Sequence, residues 1–128
     1  MSNFTHLHLH TCYSLGSGTI RIDDLINTAK KNNINSLAIT DHLNIFGAIK
    51  FYNKCIAEKI KPILGCEIPV IYKDQNTIGN IVLLCLNLDG YHNLNKILSS
   101  IHTSRSSCLG ASINLLNKYK SGLICLSG

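Results

Sequence analysis

Hydrophobic positions along the chain follow two alternating periods. Phe4 to His10 has period two: Leu7 and Leu9 fall on one side, His6, His8 and His10 on the other, which predicts a β-strand. A glycine-broken loop, "CYSLGSGT", follows. Ile22 to Lys31 has helical period, with Ile22, Leu25, Ile26 and Ala29 on one stripe, Asp23 and Asp24 in the first turn and Lys30 and Lys31 in the last; both charge placements suit a helix dipole. "INSLAIT" predicts a second strand, ending at "TDH". Asn44 is placed to cap a second helix with a stripe of Ile45, Ala48, Ile49, Tyr52, Cys55 and Ile56.

The same alternation continues. "KPILGCEIPVIY" predicts a third strand, in which Pro69 marks an edge or a bulge. "NTIG" is the expected turn into "NIVLLCLNL", a fourth strand. Asp89 is placed to cap a third helix that buries Leu94, Ile97, Leu98 and Ile101. "SINLLNKY" predicts a short fourth helix and "GLICLS" a last strand. Strands that are near-continuous apolar runs, alternating with helices, indicate an α/β fold with buried parallel strands. The chain stops directly after a strand, where a further helix is expected, so it is read as cut.

Composition narrows this picture only slightly. The 128 residues fit one domain, and 45% hydrophobic against 15% charged residues exclude a disordered chain. The net charge of +5 permits a phosphate-rich partner. Lys50, Lys54, Lys59 and Lys61 crowd one region and are read as a solvated helix face. The six cysteines form no CxxC pair and several sit in apolar runs, such as Cys85 and Cys125, so they are expected as buried reduced thiols of a cytoplasmic protein. No signal peptide and no membrane-length apolar run is visible, and no membrane partner is expected.

Chemistry enters with the histidines. Three of the six lie within His6–His10, at every second position. On a strand such residues share a face, with Cα atoms about 6.5–7 Å apart, and two imidazoles at that spacing can lean onto one metal ion. The alternative is a surface strand carrying polar rings; the apolar opposite side and the following loop favour the metal reading. Asp41 and His42 end the second strand and Glu67 follows "ILG" in the third. Loops at the carboxyl ends of strands hold the sites of α/β folds, so His8, His10, His42 and Glu67 are expected to converge. Imidazoles with a carboxylate suit Zn²⁺, Mn²⁺ or Fe²⁺. His92 and His102 are read as ordinary surface histidines.

These motifs carry a resemblance. "HLHLHTCYS" (His8, His10, Thr11, Tyr13, Ser14), "AITDH" (Thr40, Asp41, His42) and "GCE" (Gly65, Glu67) resemble the PHP, or polymerase and histidinol phosphatase, domain. "TDHLNIFGAIKFYNKC", "IKPILGCEIPV", "IVLLCLNLDGYHNLNKI" and "GLICLSG" are similar to the amino-terminal PHP domain of bacterial replicative DNA polymerase III alpha subunits. The resemblance spans Phe4 to Gly128. It implies the first half of a PHP-type distorted (β/α)7 barrel, with parallel strands and outer helices. Residues 1–128 are then the N-terminal part of a PHP domain, without the remaining barrel and the polymerase domains. It implies metal ligands at His8, His10, His42 and Glu67, with His6 and Asp41 supporting them. Two positions depart from the family pattern: Ser17 stands where an aspartate is usual and Asn80 where a histidine is usual, and both are poorer ligands.

The implied function is a part in DNA replication. The parent would be a DNA-directed DNA polymerase, a nucleotidyltransferase using Mg²⁺ in a later domain. Its partners would be the sliding clamp, a proofreading exonuclease and primer–template DNA. Asp23, Asp24, Asp74 and Asp89 form no polymerase cluster, so no catalytic residue is assigned to this segment, and it is expected to brace the parent and dock partners around a partly degraded metal site. The alternative is a metal-dependent phosphoesterase, either a 3′–5′ proofreading exonuclease or a stand-alone enzyme like histidinol phosphatase.

Overall fold

The connection between the two longest strands decides the topology. Strand β2 spans Lys61–Tyr72 and β3 spans Asn76–Cys85. Three intervening residues are too few for a crossover, so the pair can only form an antiparallel hairpin, with Gly65 opposite Leu84 and Tyr72 opposite Asn76. The computed structural model describes residues 4–72, 76–105 and 109–127. Before the hairpin come helix α1 (Ile22–Lys31), strand β1 (Ser36–Ile39) and helix α2 (Ala48–Ala57); after it come α3 (Leu88–His102), β4 (Ala111–Ser112), α4 (Ile113–Tyr119) and β5 (Leu123–Ser127).

Strand order is β1-β2-β3-β5, and β4 pairs with the end of β2. β1 and β4 run parallel to β2, whereas β3 runs against β2 and β5. The α/β class is therefore present, with parallel pairs, but β3 departs from the expected uniform direction. The turn also moves. "NTIG" is already strand β3, and residues 73–75, between the two strands, lie outside the described residues. The irregularity expected near Pro69 is a register shift between Val70 and Ile71.

Three apolar clusters hold these elements together. Ile22, Leu25, Ile26 and Ala29 of α1 pack with Leu37 and Ile39 of β1 and Phe51 and Cys55 of α2. Cys66 and Ile68 of β2 and Leu83 of β3 pack with Leu94, Ile97, Leu98 and Ile101 of α3. Ala38, Val82 and Leu84, one residue out of phase, form a smaller cluster with Ile63 and Leu126. Period two thus gives the sheet a helix-covered face and a second face. Glu67 shares that second face with Ile63, and Asn80 shares it with Val82.

Several local expectations need correction. The first segment, Phe4 to His10, is not a regular strand. It runs beside β1, with Ala38 N donating to His6 O (3.0 Å) and Thr40 N donating to Leu9 O (2.9 Å). The two-residue step from Ala38 to Thr40 thus faces a three-residue step of the segment, from His6 to Leu9, a bulge-like surplus. Asn44 does not cap α2, whose N-cap is Gly47. The stripe of α2 is also rotated: Ala48, Phe51 and Cys55 are buried, while Ile49, Tyr52 and Ile56 are exposed. Asp89 lies in the first turn of α3, and the cap is Asn87, which accepts from Gly90 N (2.9 Å). Gly90 is required there, because a Cβ would meet Gly122 O at 1.9 Å. Of the cysteines, Cys55 and Cys66 are buried as expected, Cys85 is half-buried, Cys12 and Cys125 are exposed, and Cys108 lies outside the described residues. Among the described residues, no helix is long and apolar enough to cross a membrane.

Candidate metal centre

Parallel pairing extended past β1 builds the site. Beyond Ile39 the chain stays beside β2: Glu67 N donates to Asp41 O (3.0 Å) and Leu43 N donates to Glu67 O (2.9 Å). His42 is thereby set beside Glu67, and their side chains meet, with His42 Nδ1 at 3.0 Å from Glu67 Oε2. The first segment brings the other two imidazoles. His10 Nε2 is 2.8 Å from Glu67 Oε2, and His8 Nε2 is 3.3 Å from Glu67 Oε1. The two rings stand nearly edge to face, with centroids 5.4 Å apart.

Glu67 is the centre of this arrangement and is buried. Burial alone pushes its carboxyl up; the His42 hydrogen bond and the charges of His10, His8 and His42 oppose that and hold it below its ordinary value. Asn80 Nδ2 donates to Glu67 Oε1 at 3.3 Å, so the residue in the place of a usual histidine does face the site, as a donor to the carboxylate.

His8, His10 and Glu67 offer ligand atoms that all lie within 4.8 Å of one another. His10 Nε2 is buried and makes no aligned hydrogen bond, despite its closeness to Glu67. A buried polar atom without a partner is unfavourable, and a cation between these three donors would satisfy it. The donor set, two imidazoles and a carboxylate, fits Zn²⁺, Mn²⁺ or Fe²⁺. His42 joins the group through Glu67, outside the three-donor cluster itself. The side chain of His8 is 44% exposed, so the centre opens to solvent.

A second layer fixes the first. Asp41 is 1% exposed. It accepts from Thr11 N (2.6 Å), Thr11 Oγ1 (2.7 Å) and Ser14 Oγ (2.6 Å). Ser14 Oγ in turn accepts from His42 N at 3.0 Å. The two motifs are therefore one hydrogen-bonded network centred on Asp41. Asn44, read from sequence as a cap, donates to Tyr13 O and His42 O, each at 3.0 Å. Its amide pattern offers no signal that separates these roles. Cys66 Sγ donates to Asp41 O at 3.1 Å, and burial pushes this thiol up to about 12.

Neither His6, expected to support the site, nor Ser17, the departure from the family pattern, reaches the cluster. His6 is exposed and turns its ring edge onto Phe4, at 4.7 Å between centroids. Ser17 is exposed and, among the described residues, bonds locally to Ser14 O. Of the crowded lysines, Lys50 and Lys54 pair with Asp23 of α1 at 3.4 and 2.5 Å.

Comparison with known proteins agrees with this geometry. The PHP domain family model matches residues 6–128. The chain is 42% identical to the DNA polymerase III subunit alpha of Borreliella burgdorferi, over 98% of this chain and 12% of that protein. It is 39% identical to that of Treponema pallidum, again over 98% of this chain and 12% of the relative. The Campylobacter jejuni subunit is 42% identical, over 99% of this chain and 11% of its own. This chain thus spans about an eighth of the length of these relatives. Among solved structures, a protein of Bifidobacterium adolescentis assigned as a metal-dependent phosphoesterase shares the fold, with a TM-score of 0.60 at 19% identity over 79% of this chain and 34% of that one. An amidohydrolase from Chromobacterium violaceum, with bound sulfate and no metal, gives a TM-score of 0.60 at 25% identity over the same shares. From the paired motifs, their meeting at Glu67 and the family match over residues 6–128, the chain belongs to the PHP domain family.

Proposed function

We propose that this chain is the N-terminal PHP segment of a replicative DNA polymerase III alpha subunit, acting in the cytoplasm. In the parent it braces the polymerase and docks replisome subunits such as the sliding clamp and a proofreading exonuclease. The observation that carries this reading is similarity to alpha subunits at 34–42% identity over nearly the whole chain. Nucleotidyl transfer on primer–template DNA, with Mg²⁺, belongs to the rest of the parent. A polymerase centre holds its ions between aspartates, and the metal-sized cluster here contains one carboxylate, Glu67.

In this reading His8, His10 and Glu67 hold a divalent ion, and His42 and Asn80 orient Glu67. The ion supplies Lewis acidity and an activated water when bound. The site's role in the parent is chiefly structural, because Ser17 and Asn80 leave it short of ligands. Full-length protein carrying His8→Ala and His10→Ala tests this. It should lose bound metal and melt several degrees lower, while its rate of primer extension at low temperature stays unchanged. Primer extension by residues 1–128 alone would overturn the assignment.

A second reading is phosphoester hydrolysis at this centre, as a 3′–5′ exonuclease or as an independent histidinol-phosphatase-like enzyme. The exposure of His8 beside a buried carboxylate favours it, since a phosphate can reach the donors. Metal-dependent release of a 3′ nucleotide by the full-length protein, lost in the same double variant, would establish it over the structural role.

A further inference from the structure

The turn that carries His42 contains a strained residue. Leu43 has φ of 55°, in the left-handed region, which is unfavourable for a side chain branched beyond Cβ and persists where surroundings over-determine it. Both of its backbone polar groups are held from other elements. Its N–H donates to Glu67 O at 2.9 Å. Its carbonyl meets His102 Nε2 at 2.7 Å, from 59 residues away. A carbonyl only accepts, so Nε2 carries the proton and donates. His102 is the last residue of α3, a helix anchored in the second apolar cluster by Leu94, Ile97, Leu98 and Ile101.

We propose that His102 is a positioning residue for the His42–Glu67 contact: from the end of α3 it clamps the left-handed Leu43 and so fixes the turn on which His42 reaches the carboxylate. The chain leaves His42, turns through Leu43 and is caught by His102, all within one peptide of the site. Glu67 is gripped on both sides of this turn, through its side chain by His42 and through its carbonyl by Leu43. An exposed histidine, unremarkable in sequence, thereby ties the orientation of the cluster to the helix layer. The inference rests on reading the cluster as the functional site, but the clamp itself is measurable without metal.

Amide hydrogen exchange on the chain is the test. His102→Ala should speed exchange of the Leu43 amide about tenfold and leave Ile68 and Val82 in the sheet unchanged. His102→Gln, which keeps a donor at the same reach, should restore protection. Leu43→Gly removes the left-handed penalty, so His102→Ala in that background should have a smaller effect. Unaltered Leu43 exchange, equal acceleration across the sheet, or full additivity with Leu43→Gly would each overturn the clamp. Zn²⁺ titration supplies the link to the site: affinity should fall several-fold in His102→Ala and recover in His102→Gln, and an unchanged affinity would overturn the positioning role. If the unaltered chain binds no Zn²⁺, the metal reading fails, and exchange at Leu43 still decides the clamp.

Discussion

Thr11 binds Asp41 twice, through its amide to Oδ1 at 2.6 Å and through its hydroxyl to Oδ2 at 2.7 Å. This pair joins the first histidine motif to the second across 30 residues of chain. Ser14 adds a third donor to the same buried carboxylate. Asp41→Ala would leave those donors buried without an acceptor. The expected loss is about 2–4 kcal/mol, read from urea unfolding, together with weaker metal binding because His10 adjoins Thr11. A loss below about 0.5 kcal/mol would contradict the role given to Asp41.

Glu67 gives the site its pH dependence. Its carboxyl is held below the ordinary 4.5, because the His42 hydrogen bond and the nearby histidine charges outweigh burial. A lowered folded value means that its contribution is fully present above 4.5 and is lost as the pH falls through the lower folded value. Glu67→Gln should therefore be less stable than the parent chain at neutral pH, and the gap should close in acid. Circular dichroism melts across that range check it. The same variant should lose more than about tenfold in metal affinity.

Thiol reactivity should follow position in the fold. Cys12 and Cys125 are exposed and should alkylate first with iodoacetamide, whereas Cys66 should stay protected until unfolding. Burial raises Cys55 and Cys85 from 9.0 to about 11 and Cys66 to about 12. Raised folded values mean that stability is intact below 9.0 and declines as the pH climbs from there toward the folded values. Alkaline denaturation of a Cys55→Ser, Cys66→Ser, Cys85→Ser triple variant should have a shallower slope over that range.

Gly18 lies within the first loop, folded back onto Thr11. A Cβ there would sit 2.0 Å from Thr11 O, and that backbone is already tied to Asp41. Gly18→Ala should cost about 1–3 kcal/mol and weaken metal binding with it. Gly79→Ala, where a Cβ would meet nothing within 4 Å, serves as the control and should change stability by less than about 0.5 kcal/mol.

Sequence period located the helices and most strands because burial here is one-sided. Ile22, Leu25, Ile26 and Ala29 line one stripe and are all buried. The same rule misplaced the face of α2. Ile49, Tyr52 and Ile56 also obey helical spacing, yet Phe51 is the ring that enters the core. Two apolar stripes on one short helix leave period alone with no means to choose between them. Convergence of His8, His10, His42 and Glu67 was legible from strand ends. The bond from Asn80 to Glu67 was not, since it depends on the antiparallel register of β2 and β3. Nor was the irregular course of the first segment beside β1, in which His8 and His10 approach Glu67 while His6 packs on Phe4.

The Thr11–Asp41 tie also sets an order of events during synthesis. The first histidines leave the ribosome before any residue that orients them, in a segment with no ladder of its own. Asp41 emerges 30 residues after Thr11, and Glu67 later still, so the imidazoles spend that interval unplaced. Contacts of such sequence separation form late, after loop closure has been overcome. A nascent chain halted short of Glu67 would therefore offer a cation imidazoles alone, without the carboxylate that completes the donor set.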